Sequence, residues 1–440
     1  MSGRFNENTR VQVPAALHLC RLGYTYLDSI GEDDYEPNTN ILVKVFREAV
    51  ARLNPDITED RVNALLSELV QAAKNDDLGR EFFQKITATS GERVIDFNNP
   101  NNNFWHCTTE FTCEHPETHD NFRPDITCFV NGMPLAFIEV KKPNNHEGIL
   151  AERERINKRF KVKSFRPFLN VTQLMIFSNN QEYDTANVVP VQGAFYATIA
   201  KNHTFFNVFR EKSANILRES GYNDLIDDEV QKKILKHRNC IPIREDPAYQ
   251  TNKAPLTPTN RIITSMLSRR RFLFLLRYAF AYVEKTVELA DGTKVEKLEK
   301  HIMRYQQFFA TLALRQKLSE GIKGGVIWHT QGSGKTAFAY YNVKCLTDYY
   351  AERNTVAKFF FIVDRLDLLE QSVDEFAARS LMVQTVQSRQ DLMEKIRDNK
   401  PIYNPEGKPE IIVVNIQKFK EDHTPVVIEG GYNTRLQRVF

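Results

Sequence analysis

The sequence has little of what would set it apart from ordinary globular chains. Its six cysteines fall at irregular spacings, which speaks against a disulfide-stapled scaffold and fits a reducing compartment, the cytoplasm. Long apolar runs are missing. The most apolar stretch, "RRRFLFLLRYAFAYV" after Ser268, is too short and too interrupted by arginine to cross a bilayer, so no membrane contact is expected. The opening "MSGRFNENTRVQVPAALHL" has no apolar core of a secretory leader. An excess of one charge is also absent: 59 Lys+Arg against 56 Asp+Glu leave +3, so any binding to a polyanion must rest on local patches. No internal repeat or low-complexity tract occurs.

What is present is length and pattern. At 440 residues the chain exceeds what one hydrophobic core organises, and two or more domains are expected. The N-terminal part reads as helical: "AALHLCRLGYTYL", "NILVKVFREAVARL" and "RVNALLSELVQAA" place apolar residues at i, i+3, i+4 and i+7, and "NPDITEDRV" ends one helix and caps the next. From "VIDFNNPNNNFWHCTTEFTC" the period drops towards two, and strands continue through "FIEVKK", "LMIFSNN" and "GAFYATIA". These segments form a mixed α/β domain over 1–240. The proline-rich, aperiodic "NCIPIREDPAYQTNKAPLTPTN" predicts a linker over 241–262. Over 263–440, helical stretches to about Glu320 are followed by short apolar strands, each with a helix or loop after it, which indicates a parallel sheet covered by helices.

"HTQGSGKT" follows the apolar "GVIW", read as a strand, and precedes a helical run. Gly332 and Gly334 let the backbone turn tightly and aim successive N–H groups at phosphate oxygens, helped by the positive end of the following helix. Lys335 is placed to neutralise the β and γ phosphates of ATP, and Thr336 to offer its hydroxyl to Mg²⁺. His329 stands where the full phosphate-loop pattern has glycine. Upstream, "MRYQQFFA" supplies an amide suited to the adenine edge, Gln307 with Gln306 as the alternative. A plain exposed glutamine is the blander account.

"RPDITCFVNGMPLAFIEVKKP" pairs two apolar runs about Asn131-Gly132 yet holds charges near its ends. Glu139 and Lys141 share a face of their strand, with Val140 opposite. A two-residue turn would set Asp125 against Ile138. An odd loop or a bulge would set it against Glu139. Because Pro134 has no N–H to give a ladder, a five-residue loop from Val130 to Pro134 is expected and the tight turn is not. The cluster suits metal-assisted phosphodiester hydrolysis: Asp125, Glu139 and the Val140 carbonyl hold Mg²⁺, and Lys141 orients water and stabilises developing charge. A solvated strand end with an ion pair is the alternative. Downstream, the basic 152–166 region of "AERERINKRFKVKSFRP", with Phe160 and Phe165 interleaved, suits a helix laid on a DNA backbone or a solvated amphipathic helix. Cys107, Cys113, His115 and His119 form a poor match to zinc spacing.

Taken together, "RLGYTYL", "ARLNPDITED", "DFNNPNNNF", "RPDITCFVNGMPLAFIEVKKP", "RYQQFFA", "WHTQGSGKT", "FIVDRLDLLEQ" and "NIQKF" resemble, in order and spacing, the restriction (endonuclease and motor) subunit of type I restriction-modification enzymes. The likeness covers essentially the whole chain. It implies a PD-(D/E)xK nuclease domain followed by a RecA-like parallel-sheet lobe of a superfamily 2 helicase-type motor. The implied activity is that of an ATP-dependent type I site-specific deoxyribonuclease: Mg²⁺-dependent cleavage of double-stranded DNA coupled to translocation. Methyltransferase (M) and specificity (S) subunits are the implied partners. Residue by residue, Asp125, Glu139 and Lys141 fall on the nuclease triad, and Thr330, Gly332, Ser333, Gly334, Lys335 and Thr336 on the nucleotide loop. Two departures stand out. A Gln-x3-Tyr element of the family meets Ile156 and Phe160 here, and the Asp-Glu-x-His box is not reached before Phe440, so a truncated motor without sustained ATP hydrolysis is expected. The rival reading is a repair or defence helicase whose nuclease-like domain grips DNA without cutting it.

Overall fold

In the computed structural model, which describes residues 7–114, 121–143, 149–183, 191–201, 203–225, 228–288, 291–397 and 410–419, the N-terminal periodicity becomes helix except at the end of "AALHLCRLGYTYL", where the helix stops at Arg21 and Thr25–Tyr26 is a short strand. After a π-helical turn at Asn8–Gln12, α1 (Val13–Arg21) leads to the short strand β1 (Thr25–Tyr26). Then come α2 (Val43–Leu53), α3 (Glu59–Ala73) and α4 (Arg80–Ile86). The stop and start signals between α2 and α3 act as the sequence implies. Asn54 closes α2 by turning both its backbone N–H and its amide onto the Val50 carbonyl, and the Thr58 hydroxyl accepts from Arg61 N at 3.3 Å. Glu59 and Asp60 then face the positive end of α3.

The period-two region builds β2 (Trp105–Thr109), β3 (Cys113–Glu114), β4 (Asn121–Phe122), β5 (Ile126–Val130) and β6 (Met133–Val140). Helices α5 (Leu150–Arg159) and α6 (Arg166–Val171) connect β6 to β7 (Leu174–Ser178), and β8 (Ala194–Ala197) and β9 (Asn207–Val208) follow. Seven strands form one mixed sheet in the order β1-β2-β5-β6-β7-β8-β9, while β3 and β4 pair separately. Within it β6 and β7 run parallel and β5 and β6 antiparallel. Every residue of β5 and β6 is buried, so the sheet is covered on both faces there. Phe122, Phe137 and Phe168 pack ring against ring on one of those faces.

The segment expected as a linker is folded into this first unit, Met1–Phe280. After α7 (Ile216–Glu219) and α8 (Asp228–His237) come α9 (Pro247–Asn252), α10 (Pro258–Leu267) and α11 (Arg269–Tyr278). Three of the four prolines that looked like linker residues, Pro242, Pro247 and Pro258, open helical turns, where the missing N–H has no partner to lose. Helix α10 is tied to the N-terminal elements and the sheet: His18 Nε2 lies 2.6 Å from Thr264 Oγ1, Tyr24 donates to the Leu267 carbonyl at 2.9 Å, and the Ser178 and Thr259 hydroxyls meet at 2.8 Å.

The second unit is Ala281–Phe440. Its start departs from expectation: β10 (Phe280–Glu288) and β11 (Lys294–Ile302) form a two-stranded sheet where helix was read. Asp291-Gly292, with Gly292 at φ +80°, is a turn signal that the dense, helix-like charge pattern masks. The parallel sheet is present, with α12 (Tyr305–Ser319), α13 (Lys335–Ala351), β12 (Phe360–Val363), α14 (Leu366–Ala377), β13 (Met382–Thr385), α15 (Arg389–Arg397) and β14 (Glu410–Asn415). Strand β14 lies between β12 and β13 and is parallel to both. "GVIW" is not a strand among the described residues. Val326 and Trp328 are 87% and 89% exposed because the segment pairs with neither edge, β12 or β13, and so has no face to cover.

Candidate active site

The tight turn is present, against expectation: Val130 pairs with Met133, leaving Asn131 and Gly132 as a two-residue loop. Both have positive φ, 51° and 79°, the conformation that matches strand twist. The turn is kept because it is buried and fully used. Asn131 Oδ1 accepts from Phe104 N at 2.7 Å, and its amide donates to the Val94 carbonyl and to Asn103 Oδ1. The Gly132 carbonyl accepts from Leu42 N at 2.8 Å.

Register is corrected one step further along. Cys128 pairs with Ala136, so Pro134 and Leu135 together stand against Phe129. This is a β-bulge, and the proline occupies the place in a sheet where a missing N–H is tolerated. The extra residue shifts the ladder by one, Ile126 meets Ile138, and Asp125 comes level with Glu139.

Asp125 Oδ2 accepts from Val140 N at 2.7 Å, and its carboxyl group hydrogen-bonds that of Glu139. Its backbone carbonyl is held by Gln12 Nε2 and Glu110 N. Lys141 Nζ donates to the Val140 carbonyl at 2.9 Å and to Glu7 Oε1 at 3.0 Å, and lies 3.5 Å from Glu152 Oε1. Arg159 Nη1 reaches Glu139 Oε1 at 3.4 Å, and Arg155 pairs with Glu152 at 2.6 Å. Asp125, Glu139 and Lys141 are thus brought together. Glu7, Glu152 and Arg159 belong to the same cluster and were not singled out from sequence. The signal for two of them is the spacing of Glu152, Ile156 and Arg159, which puts two charges on the buried stripe of α5. Ile156 itself is core.

Crowding sets the protonation. Burial pushes Asp125 up to about 6, against the pull of Lys141 and the Val140 N–H. Burial, then Asp125 and Glu152, push Glu139 well above the usual carboxylate range despite Arg159 and Lys141. For Lys141, burial acts downward, but Asp125, Glu152 and Glu7 outweigh it and hold the ammonium above its ordinary value. Two buried acids in contact therefore hold a proton that a cation could replace. Their oxygens and the Val140 carbonyl are hard donors of the kind Mg²⁺ takes. Among the described residues no group of three or more His, Cys, Asp or Glu side chains is placed to hold an ion, so such a site would be completed by water, as Mg²⁺ commonly is. The residues present fit the ion. Of the zinc candidates, Cys107 and Cys113 are buried in β2 and β3, and His115 and His119 lie outside the described residues.

In the second unit the glycine-rich segment over 330–334 leads into α13, with Gly334 at its N-cap. Gly332 and Gly334 have φ of 75° and 82°, and Lys335 opens the helix with Thr336 beside it. The Thr330 carbonyl accepts from Ser333 Oγ at 2.7 Å and from Lys335 Nζ at 3.4 Å, so the loop closes on itself. Gln307 is 3% exposed and its amide is engaged at both ends: Oε1 accepts from Arg304 N, and Nε2 donates to the Gly334 carbonyl, both at 2.9 Å. Among the described residues no helix is long and apolar enough to cross a membrane.

Comparison with known proteins agrees with this division. Residues 4–187 match the family described as type I restriction enzyme R protein N terminus (HSDR_N), and residues 306–435 match the SWI2/SNF2 ATPase family. The chain is 28% identical over 358 residues to the putative type I restriction enzyme MjaVIIP endonuclease subunit of Methanocaldococcus jannaschii, covering 79% of this chain and 26% of that protein. It is 21% identical to the MjaIXP endonuclease subunit of the same organism, over 97% of this chain and 39% of that one. The type I restriction enzyme HindI endonuclease subunit of Haemophilus influenzae is 24% identical, over 80% and 30%. The chain spans between about a quarter and two fifths of the length of these relatives. It is a mixed α/β protein that joins a region matching the type I restriction enzyme R protein N terminus to an ATPase-like one, and over most of its length it is similar to proteins named as endonuclease subunits of type I restriction enzymes.

Proposed function

We propose that the first unit is a PD-(D/E)xK nuclease domain that hydrolyses double-stranded DNA at Asp125, Glu139 and Lys141. The second unit, on this reading, is the first RecA-like lobe of a superfamily 2 motor that binds ATP and Mg²⁺ through Thr330, Gly332, Ser333, Gly334, Lys335 and Thr336. The observation that carries the reading is the bulge at Pro134-Leu135, which sets two buried carboxyl groups in contact beside an ammonium.

Asp125, Glu139 and the Val140 carbonyl would hold Mg²⁺, which supplies Lewis acidity towards a phosphate oxygen. Asp125 is oriented by the Val140 N–H, and Glu139 by Arg159. Lys141, anchored between the Val140 carbonyl, Glu7 and Glu152, keeps its ammonium charged at the point where charge develops on the phosphate and donates to the attacking water. Sheet burial keeps this geometry rigid. On this reading the subunit works with methyltransferase and specificity subunits, and the complete motor, of which this chain carries the first lobe, moves DNA by ATP turnover.

The test is cleavage of plasmid DNA by the assembled complex carrying Asp125→Ala. Loss of cutting with DNA binding retained supports the nuclease assignment. Undiminished cutting favours the rival in which the domain only grips DNA.

A further inference from the structure

A cation-lined recess opens beside the carboxylate pair. It has a volume of about 380 Å³, and its walls include Thr112, Asn121, Arg123 and Arg159. Each of these side chains can donate hydrogen bonds, and two are permanent cations in planar, forked form, the donor set that suits a phosphate group. Arg159 is held in place from two sides. Its guanidinium carbon lies 4.0 Å from the centroid of the Phe122 ring, and Nη1 lies 3.4 Å from Glu139 Oε1. Arg123 has a side chain that is 59% exposed and lies 3.7 Å from Glu110 Oε2. Glu110 also pairs with Arg238, so one carboxylate faces two guanidinium groups and positive charge is left over on the Arg123 side.

We propose that this recess seats a backbone phosphate of the DNA strand, one neighbouring the phosphodiester presented to Asp125 and Glu139, with Arg123 and Arg159 as its anchors. The connection to the pair is short in both directions. Arg123 is joined to Asp125 through the single residue Pro124, and Arg159 touches both the recess and Glu139. A phosphate fixed here sets where the next phosphodiester meets the carboxylates, which is positioning rather than bond-making. The inference deepens the proposed nuclease function and rests on it for the identity of the polymer. A free phosphate or a mononucleotide has the same chemistry as a ligand, and the experiment separates the two sources.

The experiment uses the whole chain carrying Asp125→Asn, so that bound DNA stays intact, and a short fluorescein-labelled duplex read by anisotropy across a salt series. Adding Arg123→Gln should lower the slope of log affinity against log salt by about 0.9, the contribution of one phosphate. Adding Asn121→Trp, which fills the recess without changing charge, should produce a similar fall, with circular dichroism verifying that both variants are folded. A slope that falls for Arg123→Gln but not for Asn121→Trp would place the arginine's contact on open surface and overturn the recess. In a second arm, inorganic phosphate is tested for thermal protection at matched ionic strength. Protection that needs Arg123, with the duplex slope unchanged by its loss, would make the ligand a free phosphate and overturn DNA seating. Failure of the nuclease reading is seen separately, as undiminished cutting by the Asp125→Ala complex, and does not alter the slopes.

Discussion

Asp125 stands level with Glu139 because Pro134 and Leu135 share one partner, Phe129, across the β5–β6 ladder. Without that extra residue Asp125 would face Ile138, and its carboxyl group would point to the other side of the sheet. The chemistry of the site thus depends on a backbone irregularity next to a turn that is itself pinned by burial.

The turn should not tolerate a side chain at Gly132. A Cβ there would lie 2.6 Å from the Leu42 carbonyl and 2.9 Å from Phe46 N, at a φ of +79°. Gly132→Ala is expected to destabilise the chain by at least about 1 kcal/mol, seen as a lowered midpoint in chemical denaturation. An unchanged midpoint would mean that the turn is not locked against α2.

Asp125→Asn should stabilise the fold while abolishing catalysis. The native carboxyl titrates near 6 and the unfolded one near 3.8, so the folded chain holds its proton more tightly. That contribution is complete below pH 3.8 and is lost as pH rises through about 6. Asparagine does not suffer this loss. Its advantage over the native chain should therefore grow between those values, to on the order of 1–3 kcal/mol at pH 7. Denaturation midpoints across pH test this, and a constant difference would contradict it.

His18 links α1 to α10 through Thr264 and acts in the opposite direction. Burial, with Arg21, lowers it from 6.5 to about 3, so it is neutral in the folded chain. The unfolded chain takes up that proton first, and the stability due to neutral His18 is lost as pH falls from about 6.5 towards 3. His18→Gln should flatten this acid limb, as read from stability measured between pH 7 and 4.

Gln307 offers a division between two roles. Its amide joins Arg304 N to the Gly334 carbonyl, bracing the phosphate loop. If bracing is its function, Gln307→Ala should weaken ATP and GTP alike, by roughly tenfold for a lost pair of buried hydrogen bonds. If it reads adenine, only the preference for ATP should fall. Titration with fluorescent nucleotide analogues tells these apart.

Much of the site was legible because its signals are local. The α2–α3 caps, the glycines of the phosphate loop and the strand–helix alternation each follow from a few adjacent residues. Asp125, Glu139 and Lys141 were readable as a group, but the route by which they meet was not. Pro134 gives the same sequence signal for a wide loop as for a bulge, and only the buried hydrogen bonds of Asn131 decide between them. Glu7 joins Lys141 across 134 positions of sequence, a contact that no periodicity encodes. The prolines over 241–262 looked like a linker because a helix's first turn and a linker favour the same residue.

A magnesium titration of the nucleotide-free chain by calorimetry addresses the carboxylate pair itself. Run at pH 6 in buffers of different ionisation heat, it should show binding that releases more than one proton, with affinity rising as pH increases through about 6. Asp125→Asn and Glu139→Gln should each abolish both the binding and the release. Magnesium binding of equal strength in all three proteins, with no proton released, would contradict a shared cation site at Asp125 and Glu139.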